Sequence, residues 1–147
     1  DLLTGKEDPY TSRMKARVEE AGLEGVVLFP GHTGTPEKAL AGADALIKLT
    51  REANPWGRDI MEAMTAGLPV VTIGAYEGFV ENGVNGYLAL RYRPDDVAGF
   101  LIRLKDDPSF RERISAANKR KASRLFDGGR NASLMAELYE DMLAGPV

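Results

Sequence analysis

The chain has 147 residues, 44% of them hydrophobic and 28% charged, which suits one soluble domain with a buried core. A formal net charge of -3 excludes the basic balance usual in nucleic-acid-binding modules, so no nucleic-acid partner is expected. Without cysteine there are no disulfides, thiolate nucleophiles or Cys-ligated metals, and the single histidine, His32, builds no His-rich metal site by itself.

No apolar run reaches the roughly 18 residues of a membrane span, and the opening D-L-L-T-G-K-E-D-P is neither a signal nor a transit peptide. A cytoplasmic location is therefore expected. The first residue is not Met and the chain starts close to an apolar segment, so a piece of a longer protein is expected.

Leu2 and Leu3 suggest a truncated strand. Asp8-Pro9 is an N-cap followed by proline at the first helical position. Tyr10, Met14, Val18 and Ala21 then recur at helical spacing until Gly22. The run V-V-L-F at 26–29 predicts a strand ended by Pro30-Gly31. Thr35-Pro36 restarts a short helix to about Ala43. Residues 45–49, A-L-I-K-L, predict the next strand; a helix follows from about Gly57 to Ala66, closed by Gly67. Residues 69–73 predict a strand whose proline stands first, where no ladder donor is lost. A glycine-rich loop over 74–86 leads to a short strand, Y-L-A-L, at 87–90. Helices are predicted from Pro94 to Leu104, around Phe110, Ile114 and Ala117, and through Leu134, Met135, Leu138, Tyr139, Met142 and Leu143.

Strand–helix alternation with continuous apolar strands predicts an α/β fold with a parallel sheet covered on both faces. Ligands bind beyond the carboxyl ends of such strands, which singles out loops 30–34, 50–58 and 74–86. In the Gly57–Ala66 helix, Ile60, Ala63, Met64 and Gly67 share one face, with Arg58 and Glu62 one turn apart on the other. The helix follows an irregular loop, so its first N–H groups, with about half an elementary charge, can receive a diphosphate or another anion. Glu62 can then accept hydrogen bonds from two ribose hydroxyls. It can equally be a solvated residue, or pair with Arg58 for a few tenths of a kcal/mol, on the order of magnitude usual for such pairs. Trp56 has two readings, a cover for a sugar or an apolar staple ahead of the helix.

The segment N-P-W-G-R-D-I-M-E-A-M-T-A-G-L-P-V-V resembles the signature of retaining GT-B glycosyltransferases of the glycogen synthase-like and mannosyltransferase-like family, glycosyl transferases group 1. The pattern E-x-F-G-x-x-x-x-E-A-M-A-x-G-x-P-V-V is matched at Gly57, Glu62, Ala63, Met64, Gly67, Pro69, Val70 and Val71. V-V-L-F-P-G, A-G-A-D-A-L-I-K-L-T and E-N-G-V-N-G-Y-L resemble, in order, the flanking family segments, so the resemblance covers nearly the whole chain.

It implies a Rossmann-like α/β/α domain, the C-terminal half of a GT-B fold, followed by C-terminal helices. Residues 1–147 would be one donor-nucleotide-binding domain lacking its first strand and helix, and with them a diphosphate-neutralising Arg and Lys. The acceptor domain would be its missing N-terminal partner, so the chain alone is expected to be inactive and its sheet to expose an edge or apolar face. The resemblance further implies hexosyl transfer from a UDP- or GDP-sugar to a hydroxyl acceptor, without metal or cofactor. Glu62 would hold the ribose. Trp56, Gly57 and Arg58 would meet the donor sugar and diphosphate, Gly31 and His32 would offer backbone groups to the base, and Gly74 would lie beside the phosphates.

Two positions depart from the pattern. Asn54 stands where the family has the first glutamate, the carboxylate that contacts the transferred sugar, and it takes that catalytic place without a charge. Gly78 stands where many members have glutamate. These departures keep a non-catalytic binding module in view; a nucleotide-sugar epimerase of the same fold is a further alternative, over which the E-A-M-T-A-G-L-P-V-V register favours the glycosyltransferase. Lys119, Arg120, Lys121 and Arg124 form a basic cluster, read as a solvated helix face or a peripheral contact to a membrane surface.

Overall fold

A computed structural model describes residues 8–145. The strand expected at Leu2-Leu3 lies outside the described residues. The chain divides into two compact units, one ending at Gly34 and one beginning at Thr35.

The first unit contains helix α1, Pro9–Glu20. Its start is dictated locally. The Asp8 carboxylate accepts from the Tyr10 N–H at 2.8 Å and the Thr11 N–H at 3.2 Å, and Pro9 occupies a position where no donor is needed. The Thr11 hydroxyl donates to the same carboxylate, and these bonds, the hydroxyl's first, hold the Asp8 pKa below its ordinary value. Residues 26–29 form no strand, contrary to the sequence expectation. An extended run has no hydrogen bonds of its own and becomes a strand only where a neighbour offers a ladder. Here Val26 and Leu28 are 76% and 75% exposed.

The second unit begins with α2, Pro36–Ala41, and β1, Leu46–Lys48. Helix α3, Arg58–Ala66, leads to β2, Val70–Ile73, and then β3, Gly86–Ala89. Three helices close the chain: α4, Pro94–Asp106, α5, Pro108–Leu125, and α6, Gly128–Ala144. The sheet has the order β1-β2-β3, parallel throughout, with Lys48 paired to Thr72 and Thr72 to Leu88.

Every residue of β2 is buried, as expected of a central parallel strand. Strand alternation sends Val70, Thr72 and Leu88 to one face and Val71 and Tyr87 to the other. On the first face Val70 and Leu88 join Ile60, Ala63 and Met64 of α3, Val80, and Ala122 of α5 in one core cluster. On the second, Tyr87 meets Phe100 of α4, ring centroids 5.5 Å apart. Helices therefore cover both faces, and the sheet is the middle of three layers. The apolar side of α3 read from the sequence, Ile60, Ala63 and Met64, is fully buried.

Gly67 ends α3 in the left-handed region, φ 81°, and its N–H group bonds the Met64 carbonyl at 3.0 Å. Strand β1 is an edge of the sheet among the described residues, and its outward residue Ile47 is 50% exposed. The β2–β3 crossover is made by loop 74–85 and not by a helix. No helix among the described residues is long and apolar enough to cross a membrane.

Candidate donor-binding site

The parallel strands point their carboxyl ends at loops 50–57 and 74–85. Loop 50–57 is tightly constrained. The Asn54 N–H donates to the Thr50 hydroxyl at 3.0 Å, and Ala53 adopts φ 48°, a conformation uncommon for a residue with a side chain. Gly74, φ 147°, sits so close beneath it that an added Cβ would lie 2.6 Å from the Ala53 carbonyl oxygen and from Pro55 Cδ. Glycine is required here by both backbone angle and space.

The two loops together enclose an open cavity of about 670 Å³ lined by Glu52, Asn54, Trp56, Tyr76 and Phe79, with Ala53 and Pro55. Tyr76 and Phe79 pack edge to face, centroids 5.8 Å apart. Trp56 is 55% exposed, a position unlike that of a buried staple. The Asn54 side-chain oxygen is buried without a hydrogen-bond partner. At Gly78 an added Cβ would lie 2.1 Å from Tyr76 Cζ, so a glutamate there requires the tyrosine ring to move.

Gly57 starts α3 with φ 147° and without a side-chain cap. Lys48, from the end of β1, reaches this junction. Its ammonium donates to the Trp56 carbonyl at 2.9 Å and to Asp59 Oδ1 at 2.8 Å. Asp59 Oδ1 also accepts the Ile60 N–H at 3.0 Å. The first turn of α3 thus keeps its positive end, with its own carboxylate matched by a lysine. One turn on, Arg58 Nε donates to Glu62 Oε1 at 2.6 Å, so the simple ion pair among the readings of Glu62 is realised. Arg58 is 86% exposed and Glu62 32%, which leaves the carboxylate reachable from solvent.

The structure therefore brings Asn54, Trp56, Gly57 and Gly74 to one end of the sheet and places Arg58 and Glu62 along the helix that starts there. Gly31, φ 77°, and His32 belong to the first unit, are exposed, and follow an irregular segment in place of the expected strand. In the basic cluster, Arg120 and Arg124 are exposed, but Lys121 is not a solvated residue. Its side chain is 11% exposed, pairs with Glu81 at 2.5 Å and donates to the Glu77 carbonyl at 3.3 Å.

Loop 74–85 is anchored from below by two asparagines. Asn85 accepts from the Glu81 N–H at 2.7 Å and donates to the Phe79 carbonyl at 2.8 Å and the Asn118 side-chain oxygen at 2.9 Å. Asn118 donates to the carbonyls of Leu68 and Asn85, both at 2.8 Å. Tyr76, Phe79, Asn118 and Lys48 were not singled out by the sequence. The lone lysine in the otherwise apolar A-L-I-K-L strand is the signal that finds Lys48.

The fold and site define a Rossmann-like domain of the GT-B type. The glycosyl transferases group 1 profile matches residues 2–121, and the chain belongs to that family. It is 33% identical over 118 residues to a glycogen synthase of Mycobacterium tuberculosis, covering 76% of this chain and 28% of that one. It is 30% identical over 146 residues to the lipopolysaccharide core biosynthesis mannosyltransferase LpsB of Rhizobium meliloti, covering 95% and 41%. The crystal structure of Anabaena HepE in complex with UDP superposes with a TM-score of 0.83 at 28% identity, covering 90% of this chain and 37% of that one. In fold alone, the chain also resembles the C-terminal domain of a group 1 glycosyl transferase, LpcC, from Francisella tularensis, with TM-score 0.65, 19% identity, and 84% and 65% coverage. The chain spans 20% to 41% of the length of the curated relatives it matches.

Proposed function

We propose that this chain is the donor-nucleotide-binding half of a retaining, metal-independent glycosyltransferase, which transfers a hexosyl group from a UDP- or GDP-sugar to a hydroxyl acceptor. The observation that carries this reading is the junction at Gly57. A helix starts there without a side-chain cap, at the carboxyl end of a parallel sheet, beside an open cavity lined by Asn54 and Trp56. In this reading the N–H groups at the start of α3 receive the diphosphate and stabilise it as it departs. Glu62 exchanges Arg58 for the two ribose hydroxyls. The backbone at Gly31 and His32 serves the base, and Gly74 keeps its loop close to the phosphates.

The acceptor hydroxyl attacks the anomeric carbon from the leaving-group face, in a cleft completed by an N-terminal acceptor domain. Likeness to a HepE structure containing UDP supports the nucleotide, and the matched family signature supports transfer. The enzyme works in the cytoplasm.

Isothermal titration of the full-length protein with UDP and GDP tests the reading. Glu62→Ala is expected to weaken binding by on the order of tenfold to a hundredfold, the scale of hydrogen bonds to a charged acceptor. Unchanged affinity in the variant removes Glu62 from the site.

A second reading, a binding module without turnover, is favoured by one observation. The Asn54 oxygen is buried and Tyr76 occupies the space above Gly78, so neither of the family's two carboxylates has a counterpart. A transfer assay across nucleotide sugars decides: turnover eliminates this reading, and epimerised free donor would instead assign an epimerase.

A further inference from the structure

Lys48 is a charged residue at the end of β1, only 19% exposed, on the sheet face that carries α3. A lysine whose side chain is largely buried keeps its charge at least cost when the ammonium is paired and hydrogen-bonded. Its two acceptors lie on either side of Gly57: the Trp56 carbonyl, the last before the helix junction, and the Asp59 carboxylate in the first turn of α3. The fit is close, because a Cβ on Gly57 would stand 2.5 Å from the ammonium and 2.7 Å from Asp59 Oδ1.

We infer that Lys48 is a positioning residue of the donor site, with two separable effects. It ties the Trp56 carbonyl to the sheet and so fixes loop 50–57, the wall of the cavity. It also neutralises Asp59, whose carboxylate would otherwise sit at the start of α3 and repel a diphosphate. The second effect rests on the donor reading above; the first does not. The lysine thus gives α3 a first turn in which an acidic residue shapes the backbone without closing the helix to anions.

Trp56 is the single tryptophan of the chain and reports directly on the loop. In Lys48→Met the fluorescence anisotropy of Trp56 is expected to fall as the loop loosens, and UDP affinity to drop several-fold. Adding Asp59→Asn to this variant removes the uncompensated charge. UDP binding should then recover while the anisotropy stays low, a split that general misfolding does not produce. Lys48→Arg keeps the charge and the donors and is expected to retain both readings. Should Lys48→Met unfold, as judged by circular dichroism, Lys48→Gln carries the same expectations. Wild-type anisotropy and wild-type UDP affinity in the neutral variants overturn the inference. Absence of UDP binding by the wild-type chain overturns the donor reading instead, and anisotropy alone then decides the role of Lys48 in the loop.

Discussion

At the scale of single residues, the value of a polar group here depends on whether its partners are buried. The Arg58–Glu62 pair is short but open to water, so Arg58→Ala should change stability by at most about 0.5 kcal/mol, measured by thermal unfolding. Asn118 is the opposite case. It is fully buried, and its loss leaves the carbonyls of Leu68 and Asn85 and the Asn85 amide without their partner. Asn118→Leu should cost about 3 kcal/mol, a fall of about 6–12 °C in the unfolding midpoint for a chain of this size.

Gly57→Ala combines an unfavourable backbone region, costing about 1–3 kcal/mol, with collision against Lys48 and Asp59. It should reduce nucleotide binding as well as the unfolding midpoint. These residues differ in how far the sequence disclosed them. Gly57 and Glu62 stand in one local pattern, so their places at the start of α3 and one turn into it were readable. Asn118 acts on groups 33 and 50 residues away, and no spacing within a helix announces that.

At the scale of elements, α3 was legible because one helix face and one cap carry its pattern, and both are local. The 26–29 run was misread because strand formation depends on a partner that the run itself does not specify. Met64, fully buried between α3 and the sheet, shows how much the readable face matters: Met64→Ala should destabilise by about 2–5 kcal/mol in urea unfolding.

Helix α6 is different in kind. It buries no residue, while Leu134, Leu138, Tyr139 and Met142 are each at least half exposed. Its removal should leave the unfolding midpoint of the second unit unchanged. Helix α1 offers a pH test. The Asp8 pKa is lowered in the folded helix, so its capping stabilises α1 above the carboxylate's ordinary pKa and is lost as pH falls through the lowered value. The helical circular dichroism signal of α1 should decline over that acid range, and in Asp8→Ala this acid-dependent loss should be absent.

At the scale of the molecule, the parallel sheet and the two-sided burial of β2 followed from strand–helix alternation and continuous apolar runs, and the strand ends single out the candidate loops. The sequence did not disclose how the second site loop is held, because its supports come from α5, beyond the next strand and helix. The connection from β2 to β3 has no helix, yet Asn85, Asn118 and the Lys121–Glu81 pair tie it to α5.

The consequence is one of timescale. A segment without regular structure ordinarily exchanges its amide hydrogens quickly, because local fraying exposes them. The Glu81 amide is bound to the Asn85 side chain, which is itself bonded to buried Asn118 of α5, so its release is coupled to the opening of α5. Its exchange should be as slow as that of the α5 interior, and Asn118→Ala should make it fast. The Phe79–Asn85 end of the loop that borders the candidate cavity then moves as part of the scaffold and not as a free flap.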